Sequence, residues 1–290
     1  MEMLHHAVLF LGILIVFVLV SVIAENLYWK TRQREKVYGI KEVIGNFFLG
    51  ASYKAVDAVA IAVYVYFLYD IVSGAGLQID LPGGWIGFVI VYILVDLFFY
   101  VTHFVMHKVR WFWAGHVTHH SSSRYNYSVA LRQNFTLVLN GAMLIWWMPL
   151  ALIGVDKEVV LLAIEVNLLY QFFLHTEMPS PLDKLGLIFN TPSHHRVHHG
   201  CNKDQIDRNF GGTLIIWDRI FGSFRAEKDA GEIIYGITYN QPKGYNPISL
   251  LFHEWRDMFS DAFRMRSFWV FTKTPDWVQR QNADQIEREK

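Results

Sequence analysis

Five stretches of this chain are too long and too apolar for the surface of a soluble domain, and they leave few folds open. They run near Ala7–Ala24, Ala55–Val72, Trp85–Val101, Leu137–Val155 and Val159–Leu174. About 20 helical residues cross about 30 Å of hydrocarbon. The expected fold is an all-α integral membrane protein with four to five transmembrane helices.

The basic residues predict how the spans are threaded. Met1–His6 carries no Lys or Arg, whereas Lys30, Arg32, Arg34 and Lys36 follow the first run. That run is therefore read as a retained anchor rather than a cleaved signal. Alternating the spans puts Met1–His6, Ser73–Gly84 and Asp156–Glu158 on the far side, and of 26 Lys and Arg these loops hold only Lys157. The bias predicts a multi-pass protein whose remaining loops are cytoplasmic. The last two runs read as a hairpin turning around Asp156. Residues 1–84 are then anchor helices, 85–240 a catalytic region and 241–290 a cytoplasmic tail.

Composition removes other classes. Acidic and basic residues balance at 26 each, and no basic stripe is interleaved with aromatics, which argues against nucleic acid. The single cysteine, Cys201, excludes a disulfide framework or a cysteine-held cluster. From about Thr176 the chain turns polar and glycine-punctuated, as a mixed cytoplasmic cap would. Within it Ile248–Val270 sets Leu250, Leu251, Trp255 and Phe259 among Arg256, Arg264 and Arg266, the pattern of an interfacial amphipathic helix.

The chemistry lies in the histidines. Ten of thirteen fall between residues 103 and 199, as His103-x3-His107, His116-x2-His119-His120, His175 and His194-His195-x2-His198-His199. Imidazoles one helical turn apart point the same way, and imidazole is the commonest metal ligand. Two adjacent histidines cannot serve one ion from a regular helix, so the doubled pairs suit two ions or a bent segment. His103, His107, His116, His119, His120, His175, His195, His198 and His199 are the expected ligands and catalytic residues, with His194 a supporting residue. Asp96 and Tyr100 share a helical face with His103 and His107, and Asn167 and Gln171 share one with His175. Polar groups at such depth are costly unless paired, so these residues either support the site or bond neighbouring helices. Glu165 lies off that stripe and is free to pair elsewhere. Arg196, Asp207 and Arg208 are expected to brace the third set by ion pairs. Leu214, Trp217, Ile220, Phe221 and Phe224 would either roof an acyl tunnel or form ordinary cap core. Imidazole alone does not choose among zinc, iron, copper and nickel.

These three boxes, in order and at the cytoplasmic ends of spans, resemble the fatty acid hydroxylase and sterol desaturase superfamily. The stretches WAGHVTHHSSSRYNYSVALRQN (113–134), NLLYQFFLHTE (167–177), NTPSHHRVHHG (190–200) and GGTLIIWDRIFGSF (211–224) are similar to its alkylglycerol monooxygenase branch and bacterial relatives. The resemblance implies two iron ions on the nine histidines, for which zinc can stand in on purification. It also implies dioxygen, a lipid substrate in the membrane and an external electron donor, either tetrahydrobiopterin or a b-type cytochrome or ferredoxin. Phe104 departs from the superfamily pattern and Lys108 from that of its animal ether-lipid branch, which bears on reductant and substrate rather than on the metals. The implied activity is hydroxylation of a lipid C–H bond, with sterol or fatty-acid desaturation as the alternative. A metal transporter is the contrasting class, and its ligands would sit near the bilayer midplane rather than at one end.

Overall fold

The computed structural model describes residues 2–34, 37–242 and 244–281, with backbone alone for 2–11, 13, 14, 181 and 182. The main helices are α1 (Glu2–Thr31), α2 (Ile40–Gly74), α3 (Gly84–Lys108), α4 (Arg110–His120), α5 (Ala142–Ile153), α6 (Lys157–Phe172), α7 (Pro192–His198) and α8 (Pro247–Met265). Among the described residues there is no β-strand, only the isolated bridges Phe189 to Leu214 and Gly200 to Tyr235. The cap expected to be mixed is therefore built of loops and short helices.

Two of these helices, α2 and α3, are long and apolar enough to cross a membrane, with mean hydropathies of 1.8 and 2.2. Residues Ile61–Leu68 of α2 are π-helical, so its backbone is locally wider and underwound in the middle of the apolar stretch. The first predicted span lies inside α1, but its side chains up to Leu14, apart from Gly12, are outside the described residues. The fourth is not one helix. Its first residues form the short helix Thr136–Leu139, and Gly141 then adopts a left-handed φ of 89° that breaks the run before α5. At 12 and 16 residues, α5 and α6 are about 18 and 24 Å long, short of a full crossing of about 30 Å.

The hairpin itself is as expected. Gly154, also left-handed at φ 89°, ends α5. Asp156 then caps α6 by accepting from the amides of Glu158 and Val159. The two helices lie against α3, and Tyr69, Val91, Val95, Phe99, Trp147 and Leu150 are buried between them. The Trp146 indole donates to the Val95 carbonyl at 2.9 Å. In lipid such packing and hydrogen bonding hold helices together, because apolar burial alone gains little there.

Helix α8 starts with Asn246 as cap and Pro247 in the first turn. It packs on α4, where the Leu250 carbonyl accepts from Thr118 Oγ1 at 2.7 Å. Its outer face leaves Phe252, Phe259 and Phe263 exposed, joined by Phe268 and Trp269.

Candidate metal centre

The first two histidine boxes meet because of one residue. Helix α3 runs to Lys108 and α4 starts at Arg110, with Val109 alone in an extended conformation (φ −119°, ψ 114°) between them. The chain folds back there, and the buried Arg110 fixes the fold. Its guanidinium donates to Glu254 at 2.7 Å and to Asp261 at 2.9 Å, both on α8. His103 and His107 on α3 thus face His116 and His120 on α4.

Helix α7 brings the third box across from the cap, and His175 arrives at the end of α6. The nine histidines form two buried groups: His103, His107, His116, His120 and His198, and His119, His175, His195 and His199, each with one ring nitrogen per residue within 4.8 Å of the others. The doubled pairs are split as the helical geometry requires. His119 and His120 go to different groups, and so do His198 and His199.

The spacing is that of a coordination shell. His116 Nε2 lies 3.0 Å from His103 Nε2 and 3.1 Å from His120 Nε2. His175 Nε2 lies 3.2 Å from both His119 Nε2 and His195 Nε2. Two nitrogens about 2.1 Å from one ion and at right angles would stand about 3.0 Å apart. The Nε2 atoms of His107, His198 and His199 are buried and have no hydrogen-bond partner. Buried lone pairs left in this way call for an electrophile, so the residues present fit two transition-metal ions.

Backbone carbonyls aim several of the rings. His103 Nδ1 donates to the Phe210 carbonyl, His175 Nδ1 to Gln171 and His198 Nδ1 to Arg208, each at 2.8 Å. His107 Nδ1 lies 3.6 Å from Asp207, and the Gln133 amide lies 3.3 Å from His119 Nδ1. A proton held on Nδ1 leaves the Nε2 lone pair pointing inward.

The predicted supports act at one remove. Asp96 accepts from the Thr213 amide (2.6 Å), Asn167 (2.7 Å), the Trp217 indole (2.9 Å) and the Leu214 amide (3.0 Å). It therefore pins the 213–217 turn onto α3. Tyr100 bonds Ser223, which donates to Asp218 at 2.6 Å, and Asp218 accepts from the Phe210 and Gly211 amides. Both chains of contact fix the loop whose Phe210 carbonyl orients His103. Gln171 donates to Asn167 Oδ1 at 2.6 Å, extending the network. His194 stands outside both groups, packed on Phe224.

Two glycines allow these approaches. A Cβ on Gly212 would come within 2.9 Å of Asp96 Oδ1, and one on Gly115 within 2.9 Å of the Leu137 backbone. The expected braces are partly redistributed. Arg196 pairs with Glu227 at 2.7 Å, whereas Asp207 holds Lys108 and flanks His107, so it serves the first box. Arg208 contributes its carbonyl. Glu165 pairs with Lys54 at 3.7 Å. Of the expected tunnel roof, Ile220 and Phe221 are exposed while Trp217 anchors to Asp96.

Sequence reasoning missed Phe210, Gln133, Glu25 and the pairing of Arg110 with Glu254. The Phe210 contribution is a carbonyl, which leaves no residue-type signal. Glu25, fully buried on α1, accepts from Thr176 beside His175, from Tyr38 and from the Tyr127 amide, and it ties the first helix to the site.

Burial pushes the imidazoles of His116, His119, His120, His195, His198 and His199 well below their usual range, and neighbouring imidazoles add to it. The folded state therefore favours neutral rings. Below about pH 6.5 the unfolded chain binds protons that the folded chain does not. The stability of metal-stripped protein should be complete above that pH and fall steadily below it. Each ring contributes up to about 1.4 kcal/mol per pH unit. Melting of the stripped protein in detergent between about pH 8 and 5 checks this, and a flat profile would contradict neutral buried rings.

Residues 88–223 match the fatty acid hydroxylase family and form a domain of that family, covering all nine grouped histidines. The chain is 42% identical over 202 residues to alkylglycerol monooxygenase of Homo sapiens, covering 68% of this chain and 43% of that protein. It is 50% identical over 145 residues to alkylglycerol monooxygenase of Danio rerio, covering 50% of this chain and 31% of that protein. An ornithine lipid hydroxylase, OlsE of Rhizobium tropici, is 29% identical over 153 residues, covering 53% of this chain and 46% of that protein. The chain spans less than half the length of these curated relatives. No solved structure matches it.

Proposed function

We propose that this chain is a multi-pass membrane enzyme whose nine histidines hold two irons and which uses dioxygen to hydroxylate a lipid C–H bond. The observation that carries the reading is the division of nine buried imidazoles into adjoining groups of five and four. A structural ion site closes with four ligands, and a hydroxylase domain with lipid-oxidising relatives gives the larger set a purpose. Bound iron would supply the redox chemistry for cleaving dioxygen and attacking an unactivated C–H bond, which no side chain provides.

The protein's own part is to hold, orient and exclude. Carbonyl-tethered imidazoles fix the ion positions, and the cap loop from Phe210 to Trp217 covers them against water. A cavity of about 70 Å³ between α2, α5 and α6 is lined by Tyr64, Val65, Trp146, Trp147 and Leu168. Trp146 lies 5.1 Å from Phe99, which lies 5.2 Å from His103. We read this apolar path as the berth of an alkyl chain reaching the histidines from the membrane. The relatives' names favour an ether lipid, with a fatty chain as the broader class. Reducing equivalents come from an external donor, tetrahydrobiopterin or a b-type cytochrome or ferredoxin.

The positive-inside bias supports a cytoplasmic site. The exposed Phe252, Phe259, Phe263 and Trp269 beside the exposed Arg256 and Arg264 support α8 lying on that leaflet. Purified protein should carry two irons and, given reductant, consume oxygen only when an alkylglycerol is added, yielding an oxygenated product by mass spectrometry. Metal binding without lipid-dependent oxygen uptake would overturn the reading, and an unsaturated product would turn it into desaturation.

A further inference from the structure

Behind the five-histidine group, four buried polar atoms are left without a well-formed hydrogen bond. Arg110 and Glu254 are fully buried and joined by one hydrogen bond of 2.7 Å, yet Arg110 Nη2 and Glu254 Oε2 have no hydrogen-bond partner. The same is true of Trp113 Nε1 and the Tyr239 hydroxyl. All four belong to one place, since the Tyr239 hydroxyl faces the Trp113 indole within hydrogen-bonding reach and lies in the field of Glu254 and Arg110. Buried groups left unpaired are costly, and four together mark a built site. Their chemistry is complementary to water. Arg110 Nη2 and Trp113 Nε1 donate, Glu254 Oε2 accepts and the Tyr239 hydroxyl does either, which matches a molecule that accepts two hydrogen bonds and donates two.

The position of this site gives it a use. On one side the Trp113 ring lies 5.0 Å from His107 and 5.4 Å from His120. On the other, Asp261 bonds Arg110 at 2.9 Å and is partly exposed, and Asp276 near Tyr239 is exposed. The hydroxylation proposed above consumes protons. One C–H bond breaks, a C–O–H unit forms and the second oxygen leaves as water. Two electrons come from the C–H bond, two from the external reductant, and two protons are taken up.

We propose that Arg110, Trp113, Tyr239 and Glu254 form a water-holding node that passes protons from the cap surface to the histidine site, with Glu254 Oε2 as the proton-carrying atom. This rests on the oxygenase reading. Arg110 faces the Glu254 carboxyl from α4, Tyr239 from the segment preceding α8, and Asp257 and Asp261 from its own helix. Burial raises the carboxyl to about 7 against the pull of Arg110, so it can load and release a proton near neutrality.

The test combines infrared titration with turnover on metal-loaded protein. A carboxylic acid band titrating near neutral pH should vanish in Glu254→Gln and shift in Tyr239→Phe and Trp113→Phe. In the first two variants kcat should fall about a hundredfold at unchanged lipid KM and iron content. The solvent deuterium isotope effect should rise, and more oxygen should be lost as peroxide. If the band ignores Tyr239 and Trp113, the node is refuted whatever the enzyme does. If the band responds but Glu254→Gln keeps wild-type kcat and isotope effect, proton delivery is refuted. If the wild type carries iron and shows the band but consumes no oxygen with any lipid, the oxygenase reading fails and the relay role falls with it.

Discussion

Replacing His198 with alanine should abolish oxygen-dependent lipid turnover while the protein still inserts into membranes, and it should do so by removing one metal. His198 belongs to the five-histidine group, where its ring lies 4.4 Å from that of His103 and 4.9 Å from that of His107. Loss of one imidazole there leaves four donors and an open side. His119→Ala instead strips the four-histidine group to three. If oxygen cleavage needs both ions, either variant should fall below about a hundredth of wild-type kcat, with iron content reduced toward one per chain. His194→Ala is the matched comparison. It removes an imidazole of the same box, but one outside both groups, so iron content should stay at two. Loss of metal in His194→Ala with retention in His198→Ala would reverse the ligand assignment. Metal analysis beside circular dichroism distinguishes site loss from misfolding.

The second large effect is expected at Asp96. Its carboxylate accepts four hydrogen bonds, two on each oxygen. Asp96→Ala leaves four buried donors unpaired at about 1–3 kcal/mol each, and partial relaxation should bring the total to about 4 kcal/mol. That corresponds to a fall in Tm of roughly 10 °C for a chain of this size. Asp96→Asn is more informative. It keeps the oxygen facing Asn167 and Thr213 but turns an amide group toward Leu214 and Trp217, so half the anchor becomes a clash of donors. The cap turn should loosen and the Phe210 carbonyl should lose its hold on His103. Activity should then drop further than stability does. Equal activity in the two variants, or a Tm unchanged in Asp96→Ala, would contradict the role of this carboxylate as the pin between span and cap.

The legible part of this protein was its periodic part. Histidines spaced by three or four residues announced the faces that converge, and the adjacency of His119 with His120 and of His198 with His199 left two ions or a bent segment open, which the folded chain resolves into two groups. The hairpin at Asp156 was readable because an acidic cap and a glycine leave marks in residue type. Hydropathy failed at Leu137–Val155, where composition stays apolar while Asn140 and Gly141 turn the backbone, so an apolar count saw one span and the chain makes two pieces. The orienting carbonyls of Phe210, Gln171 and Arg208 were invisible because any residue carries one. The buried pair of Arg110 with Glu254 spans 144 positions, and neither residue shares a helical face with a histidine box that would have signalled it.

Val109 makes the site a matter of phase. Helix α4 leaves that residue with a fixed angular start, and each residue turns the helix by about 100°. Inserting or deleting one residue between Lys108 and His116 would rotate His116 and His120 away from α3 without altering hydropathy, charge or any histidine. Such a chain would keep the same apolar runs and charge pattern, yet its two boxes would no longer face each other. The spacing between the first two boxes therefore acts as a clocking key, and an alignment that preserves every histidine but not this interval describes a different protein.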